Sequence, residues 1–335
     1  MGFDISSHPV DVQLIQTKIL PYLRGQGTID DLLADAVRLT KVRFRANAWG
    51  LGTLNVQHKE QEDQRAKKKA KDGSAAVAQT ARDFDSDLHV WGRPFFITVP
   101  SEQLPSVLNR YLAASPEQVD AIAMEQLYKL HPDLVNQVQP DADSTLPDDG
   151  PLADSIRQEI DVLNSAYQNI ASGKSVKLPN GEKVDPEDLL LFNMPLAVVT
   201  FAANFTPGWM ARGHVWFTQF IQQANLDADG LYEPATSLFE PLLNTIGGWE
   251  EAFEPTITQN YTLGGYVRPA NVTAFRTWWE AHHEPLLAPF AEDDEQDYGE
   301  ICYQKILEAV REAERRKFGF VEAAEVYSGF MGIMN

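Results

Sequence analysis

The residues best suited to chemistry in this chain are Asp83, Asp85, Asp87 and His89, which alternate along the stretch Asp83–Val99. In an extended strand side chains repeat every second residue, so these four share one face, while Phe84, Leu88 and Val90 take the other. Carboxylates beside an imidazole suit Zn²⁺, Mn²⁺ or Fe²⁺, and such a metal activates a water for hydrolysis. Without a metal, Asp85, Asp87 and His89 suit general acid–base work. Asp4 and His8, from a first strand, are the candidates to join Asp87 and His89 as metal ligands. Arg93 suits an anionic substrate, or an ion pair with one of the aspartates. The competing reading is a solvated strand edge blunted by charge.

A second constellation is Thr206–His214, a glycine-bracketed turn whose Arg212 and His214 suit a carboxylate or phosphate on a substrate. Packing and capping beside Trp209 is its alternative. Asn225–Gly230 resembles an EF-hand calcium loop, with oxygen ligands at places one, three and five and glycine at six. Its twelfth place is Thr236 where the bidentate Glu belongs, and Pro234 interrupts it, so an Asp-Gly turn is expected. Glu280 and His283 form one Glu-x-x-His pair, whereas di-iron bundles use two. His282 falls on the stripe Phe275, Trp279, Leu286 and reads as a core histidine. The chain has no Gly-x-Ser-x-Gly and no His-Glu-x-x-His motif. Its one cysteine, Cys302, allows no internal disulfide and sits in an apolar helical pattern.

The elements that must position these groups follow from periodicity. Gly2–Ser6 reads as a first strand and Val10–Leu23 as an amphipathic helix. A helix opens at Asp30-Asp31, carries Leu32, Leu33, Ala36 and Val37, and is expected to end at Trp49-Gly-Leu-Gly52. The polar, lysine-rich run His58–Asp72 reads as a solvated helix, since no aromatic interleaves its lysines to stack on bases. Ser101–Ala114 is helical, and Ser115-Pro-Glu-Gln118 carries the capping-box signal of another helix. Leu152–Ser172 is a helix with Ile156, Ile160, Leu163 and Tyr167 inward. Ser175–Val184 alternates around Pro179-Asn180-Gly181, a hairpin signal, and Asp185-Pro-Glu-Asp188 starts a helix. Helices are expected through Phe205, over Gly208–Ala224, Pro234–Ile246, Ala270–Phe290 and Glu295–Lys317, and briefly over Val321–Phe330. Thr256–Arg268, around Gly264-Gly265, suggests a second hairpin.

The expected fold is therefore α+β and predominantly helical. A small N-terminal sheet, joining Gly2–Ser6 with Leu88–Val99, is packed by helices and followed by a helical C-terminal lobe with one or two hairpins. The expected organisation is a lobe over 1–140, an acidic Asp- and Pro-rich linker over 141–151 and a lobe over 152–335, able to pack as one domain.

With 335 residues, 44% hydrophobic and 10% aromatic, the chain has ample material for a packed core. A formal charge of −20 repels nucleic-acid phosphates and anionic membranes. No signal peptide and no apolar run long enough to span a bilayer is read, so a cytoplasmic protein is expected. Two functions remain. One is a small-molecule hydrolase-type enzyme, metal-dependent through Zn, Mn or Fe, acting through Asp85, Asp87 and His89 with Arg93, Arg212 and His214 on the substrate. The other is a non-enzymatic acidic binding protein of the immunity type, which covers a basic protein partner.

Overall fold

A computed structural model describes residues 4–69, 93, 95–142, 145–212, 216–244, 254–259, 262–290 and 296–326, of which 54–69, 211–212 and 296–298 are described by backbone alone. The chain forms two compact units, Met1–Val37 with Asp148–Asn335, and Arg38–Pro147. The fold is a predominantly helical α+β arrangement with a small antiparallel sheet.

Among the described residues the first unit is built on five strands in the order β4-β1-β7-β6-β5. These are β1 (Asp4–Val10), β4 (Trp209–Arg212), β5 (Glu233–Pro234), β6 (Leu263–Val267) and β7 (Gly319–Ala324); β2 (Val176–Lys177) and β3 (Lys183–Val184) pair separately. β1 lies between β4, with Ser7 opposite Trp209, and β7, with Ser7 opposite Glu322. Asp4 O accepts from Glu325 N (2.8 Å), so the backbone groups of Asp4, Ser6 and His8 point to β7 and those of Ser7 and Pro9 to β4. The pairing with β4 stops at Ser7, which is why Pro9, lacking an N–H, fits inside the strand.

This pairing corrects the expected partner of β1. Of the expected partner Leu88–Val99, residues 88–92 and 94 lie outside the described residues, and Phe95–Val99 form no strand: they lie buried in the second unit, and Phe95 turns to φ +58°, which breaks the extended run. Side chains replace a neighbouring strand there. Tyr111 donates to Phe96 O (2.7 Å), the Thr98 N–H donates to Gln126 Oε1 (3.3 Å), and Gln126 Nε2 donates to Tyr111 (3.2 Å). The helical readings of Gly208–Ala224 and Val321–Phe330 are corrected as well. Trp209–Arg212 and Gly319–Ala324 are strands, and the helix begins only at Phe217. Gly264-Gly265 is not a hairpin turn but lies inside β6, where a Cβ at Gly264 would stand 2.3 Å from Glu322 Oε1 and one at Gly265 would stand 2.3 Å from the Phe217 ring. The Asn180-Gly181 hairpin forms as read, with Gly181 at φ +88°.

The second unit takes most of the Asp30–Lys69 helix, which runs on through Gly50 and Gly52 instead of ending there. Gly52 is where the Gln139 carbonyl rests against the helix. Leu104–Ala113 and Val119–Leu130 pack beside it, the latter entered through the expected capping box at Ser115. Asp120 accepts both nitrogens of Arg45 (2.7 and 2.8 Å) and the Trp49 indole N–H (2.8 Å), and the Arg45 guanidinium holds its carboxyl below the usual range. Asp120→Ala leaves a half-buried guanidinium and an indole without their acceptor. Because the pair is partly solvated, the expected loss is about 1–2 kcal/mol by denaturant unfolding at pH 7. The stabilisation is present above the ordinary carboxylate pKa and declines as pH falls through the depressed folded value, so the difference between variant and native chain should shrink in acid.

Candidate functional site

Asp85, Asp87, His89 and His214 lie outside the described residues. Arg212 ends β4, where only its backbone is described. Arg93 belongs to the second unit, and its guanidinium bonds the Val99 carbonyl and reaches Ser101 Oγ at 3.5 Å, bridging the start and end of the buried 95–99 loop. Asp4 and His8 are both buried on β1. They share a face, opposite the one carrying Ser7 and Glu322, but four residues of strand hold their Cα atoms roughly 13 Å apart, so the strand does not bring the two together. Among the described residues no three His, Cys, Asp or Glu side chains gather as a metal site would require.

Asn225–Gly230 forms the turn expected of it, with the Asp229 N–H on Asp227 Oδ1 (2.9 Å) and the Gly230 carbonyl taken by Asn271 Nδ2 (3.1 Å). Glu280 is engaged by Arg276 (2.5 Å) and Arg311 (2.7 Å), and His283 faces Glu300 across 2.9 Å. His282 stacks on the Trp278 ring at 4.4 Å between centroids. Cys302 is buried, as its helical pattern predicts.

The most perturbed carboxyl is one that periodicity gives no reason to single out. Glu322, on central β7, is fully buried beneath Phe217 and Phe320. Its Oε1 accepts from Gly265 N (2.9 Å) and from the Thr218 hydroxyl, its Oε2 from Thr218 N (3.1 Å). Thr218 is linked on to Thr256 (2.6 Å), which accepts from the Trp216 indole (3.1 Å). Burial outweighs these donors and pushes the carboxyl up to about 8. Gly264 of β6 leaves room for the carboxylate, since a Cβ there would stand 2.3 Å from Glu322 Oε1. Glu322 is thus a packed, hydrogen-bonded core acid.

Two surface features of the first unit remain. The Asp149–Asn169 helix and the edge around β2 enclose an open groove of about 550 Å³. Elsewhere Asp185 caps the short turn Pro186–Asp188 through Glu187 N (2.8 Å), and a π-helical turn, Leu189–Asn193, follows. That turn carries Phe192, 61% exposed, just beyond the exposed Glu187 and Asp188. π-turns of this kind recur at functional sites.

Charge is divided unequally between the units. Residues 1–37 and 148–335 hold 34 acidic against 14 basic side chains, whereas 38–147 holds 14 of each, so the first unit carries the whole −20. No helix among the described residues is long and apolar enough to cross a membrane.

Comparison with known proteins returns no match to a family model, to a curated protein or to a solved structure.

Proposed function

We propose that the chain is an acidic binding protein whose first unit takes up a lysine- and arginine-rich protein segment, with Phe192 as the apolar anchor. The observation that carries this reading is the confinement of the −20 to one unit. A field of that sign concentrates basic partners and speeds their encounter, while an exposed aromatic ring supplies the desolvated contact that charge alone does not. The ring also suits an arginine or lysine of the partner by cation–π attraction, with Glu187 and Asp188 beside it.

The test uses the full chain and a synthetic Arg/Lys-rich peptide, followed by fluorescence anisotropy over a range of salt. Binding should weaken as salt rises. Phe192→Ala should weaken it about tenfold at fixed salt, chiefly by faster dissociation, and Glu187→Gln with Asp188→Asn should slow association. Binding that ignores Phe192 altogether would mean diffuse attraction to a charged surface, and the reading would fall.

A further inference from the structure

The groove on the Asp149–Asn169 helix has features that the basic-partner reading leaves unused. Its floor is one stripe of that helix, with Asp154, Arg157, Asp161, Ser165 and Asn169 recurring at helical spacing, and Lys177 closes the opposite side from β2. Its volume of about 550 Å³ lies within the range of small-molecule sites.

Two of these groups are fixed from behind. Arg157 is bonded to Asp30, and Asp161 Oδ1 accepts from the Tyr22 hydroxyl at 2.5 Å. Burial, reinforced by the Asp161 carboxylate, pushes the Tyr22 phenol up to about 12, so it remains a donor throughout the physiological range. A guanidinium and a carboxylate held this way lose little freedom when a ligand arrives.

The balance of signs selects the ligand. Two carboxylates, Asp154 and Asp161, stand with two cations, Arg157 and Lys177, among amide and hydroxyl groups. A simple anion meets as much repulsion as attraction here, within a unit already strongly negative, and a simple cation leaves Lys177 unanswered, Arg157 being paired with Asp30. A neutral sugar would take water from four charged groups and return no charge to any of them. A molecule with both an ammonium and a carboxylate meets each sign with its opposite. The scale agrees: one helical turn, about 6 Å, separates Asp161 from Ser165, and about 10 Å separates Asp154 from Asp161. We propose that this groove is a binding site for a small zwitterion, an amino acid or short peptide, with its ammonium on the Asp154 and Asp161 side and its carboxylate on Lys177, Ser165 and Asn169.

The experiment is isothermal titration of the full chain with glycine, lysine, glutamate and glycylglycine, run beside acetate, methylammonium and glucose. At least one zwitterion should bind saturably while the three comparison solutes do not. Lys177→Ala and Asp154→Asn should each weaken that binding about tenfold, the worth of one charge-assisted hydrogen bond. Both side chains are exposed, so the melting temperature should stay unchanged. Phe192→Ala, which tests the basic-partner reading, should leave zwitterion binding intact. Failure of every zwitterion to saturate, equal binding of acetate or glucose, or indifference to both groove substitutions would each overturn the proposal.

Discussion

Glu322→Ala is expected to cost several kcal/mol of stability, enough to unfold the first unit under mild denaturant. The substitution removes the acceptor of Gly265 N, of Thr218 N and of the Thr218 hydroxyl in a fully buried place. Each stranded backbone donor costs about 1–3 kcal/mol, and the emptied volume beneath Phe217 adds to it. Glu322→Gln should cost less, because its amide oxygen still accepts from Gly265, but its NH₂ cannot accept from Thr218 N. The two substitutions also differ from the native chain in their response to pH. The folded carboxyl sits near 8, above its ordinary 4.5, so its stabilising contribution is complete below about 4.5 and is lost as pH rises through about 8. Between those values native stability should fall by up to about 1.4 kcal/mol per pH unit, from this group alone. Denaturant midpoints measured from pH 5 to 9 should show that slope in the native chain and its loss in Glu322→Gln. The same slope in both would place the titration elsewhere.

Gly52→Ala is the second large effect, and its sign runs against helix propensity. Inside an exposed helix the change gains about 1 kcal/mol. Here the new Cβ would lie 1.7 Å from Gln139 O and 2.8 Å from Gln139 C, backbone atoms that cannot rotate away. The segment after Gln139 must shift, and with it the Asp141 N–H to Ala48 O bond of 2.8 Å. A loss of about 3 kcal/mol is expected in the second unit, overpacking far outweighing propensity. Gly150→Ala supplies the contrast. It lies in the first turn of the Asp149–Asn169 helix with nothing beyond its chain neighbours within 4 Å of its Cβ position, and the gain in propensity is opposed by crowding of the new Cβ against Pro151, so stability should change by less than about 1 kcal/mol. Thermal unfolding should show a large drop for Gly52→Ala and little change for Gly150→Ala.

Local signals carried much of this fold. The capping box at Ser115, the Asn180-Gly181 hairpin and the inward stripe Ile156, Ile160, Leu163 are all present, because each depends on residues a few places apart. What local pattern did not carry is the sheet. β1 meets strands that begin at Trp209 and Gly319, and nothing near Asp4 names those partners. Phe-Val-Glu-Ala-Ala in β7 has good helix formers, and only its burial between β1 and β6 makes it a strand. Phe95–Val99 looked like a strand for the opposite reason: the apolar, β-branched run is there, but Gln126 and Tyr111 take the place of a neighbour. For the sites, the Asp83–His89 face lies outside the described residues. The groove is not legible in sequence, because Asp154, Arg157, Asp161 and Ser165 read as the ordinary wet face of a helix until the β2 edge stands over them. The charge imbalance is present in the sequence, yet it becomes visible only when the chain is divided at 37 and 148.

The place of β1 between β4 and β7 also fixes an order of events during synthesis. The nascent strand leaves the ribosome before β7, whose first residues are made about 310 positions later, roughly 15–60 s at ordinary translation rates. Through that interval β1 has no β7 to pair with, and an apolar strand left open invites pairing with other chains. Its sequence, Asp-Ile-Ser-Ser-His-Pro-Val, is unusually polar for a strand that ends up wholly buried. Asp4, His8 and Pro9 are the residue types that discourage edge-to-edge association. The polar groups buried in the finished core thus suit a strand that must wait for its last partner to be translated.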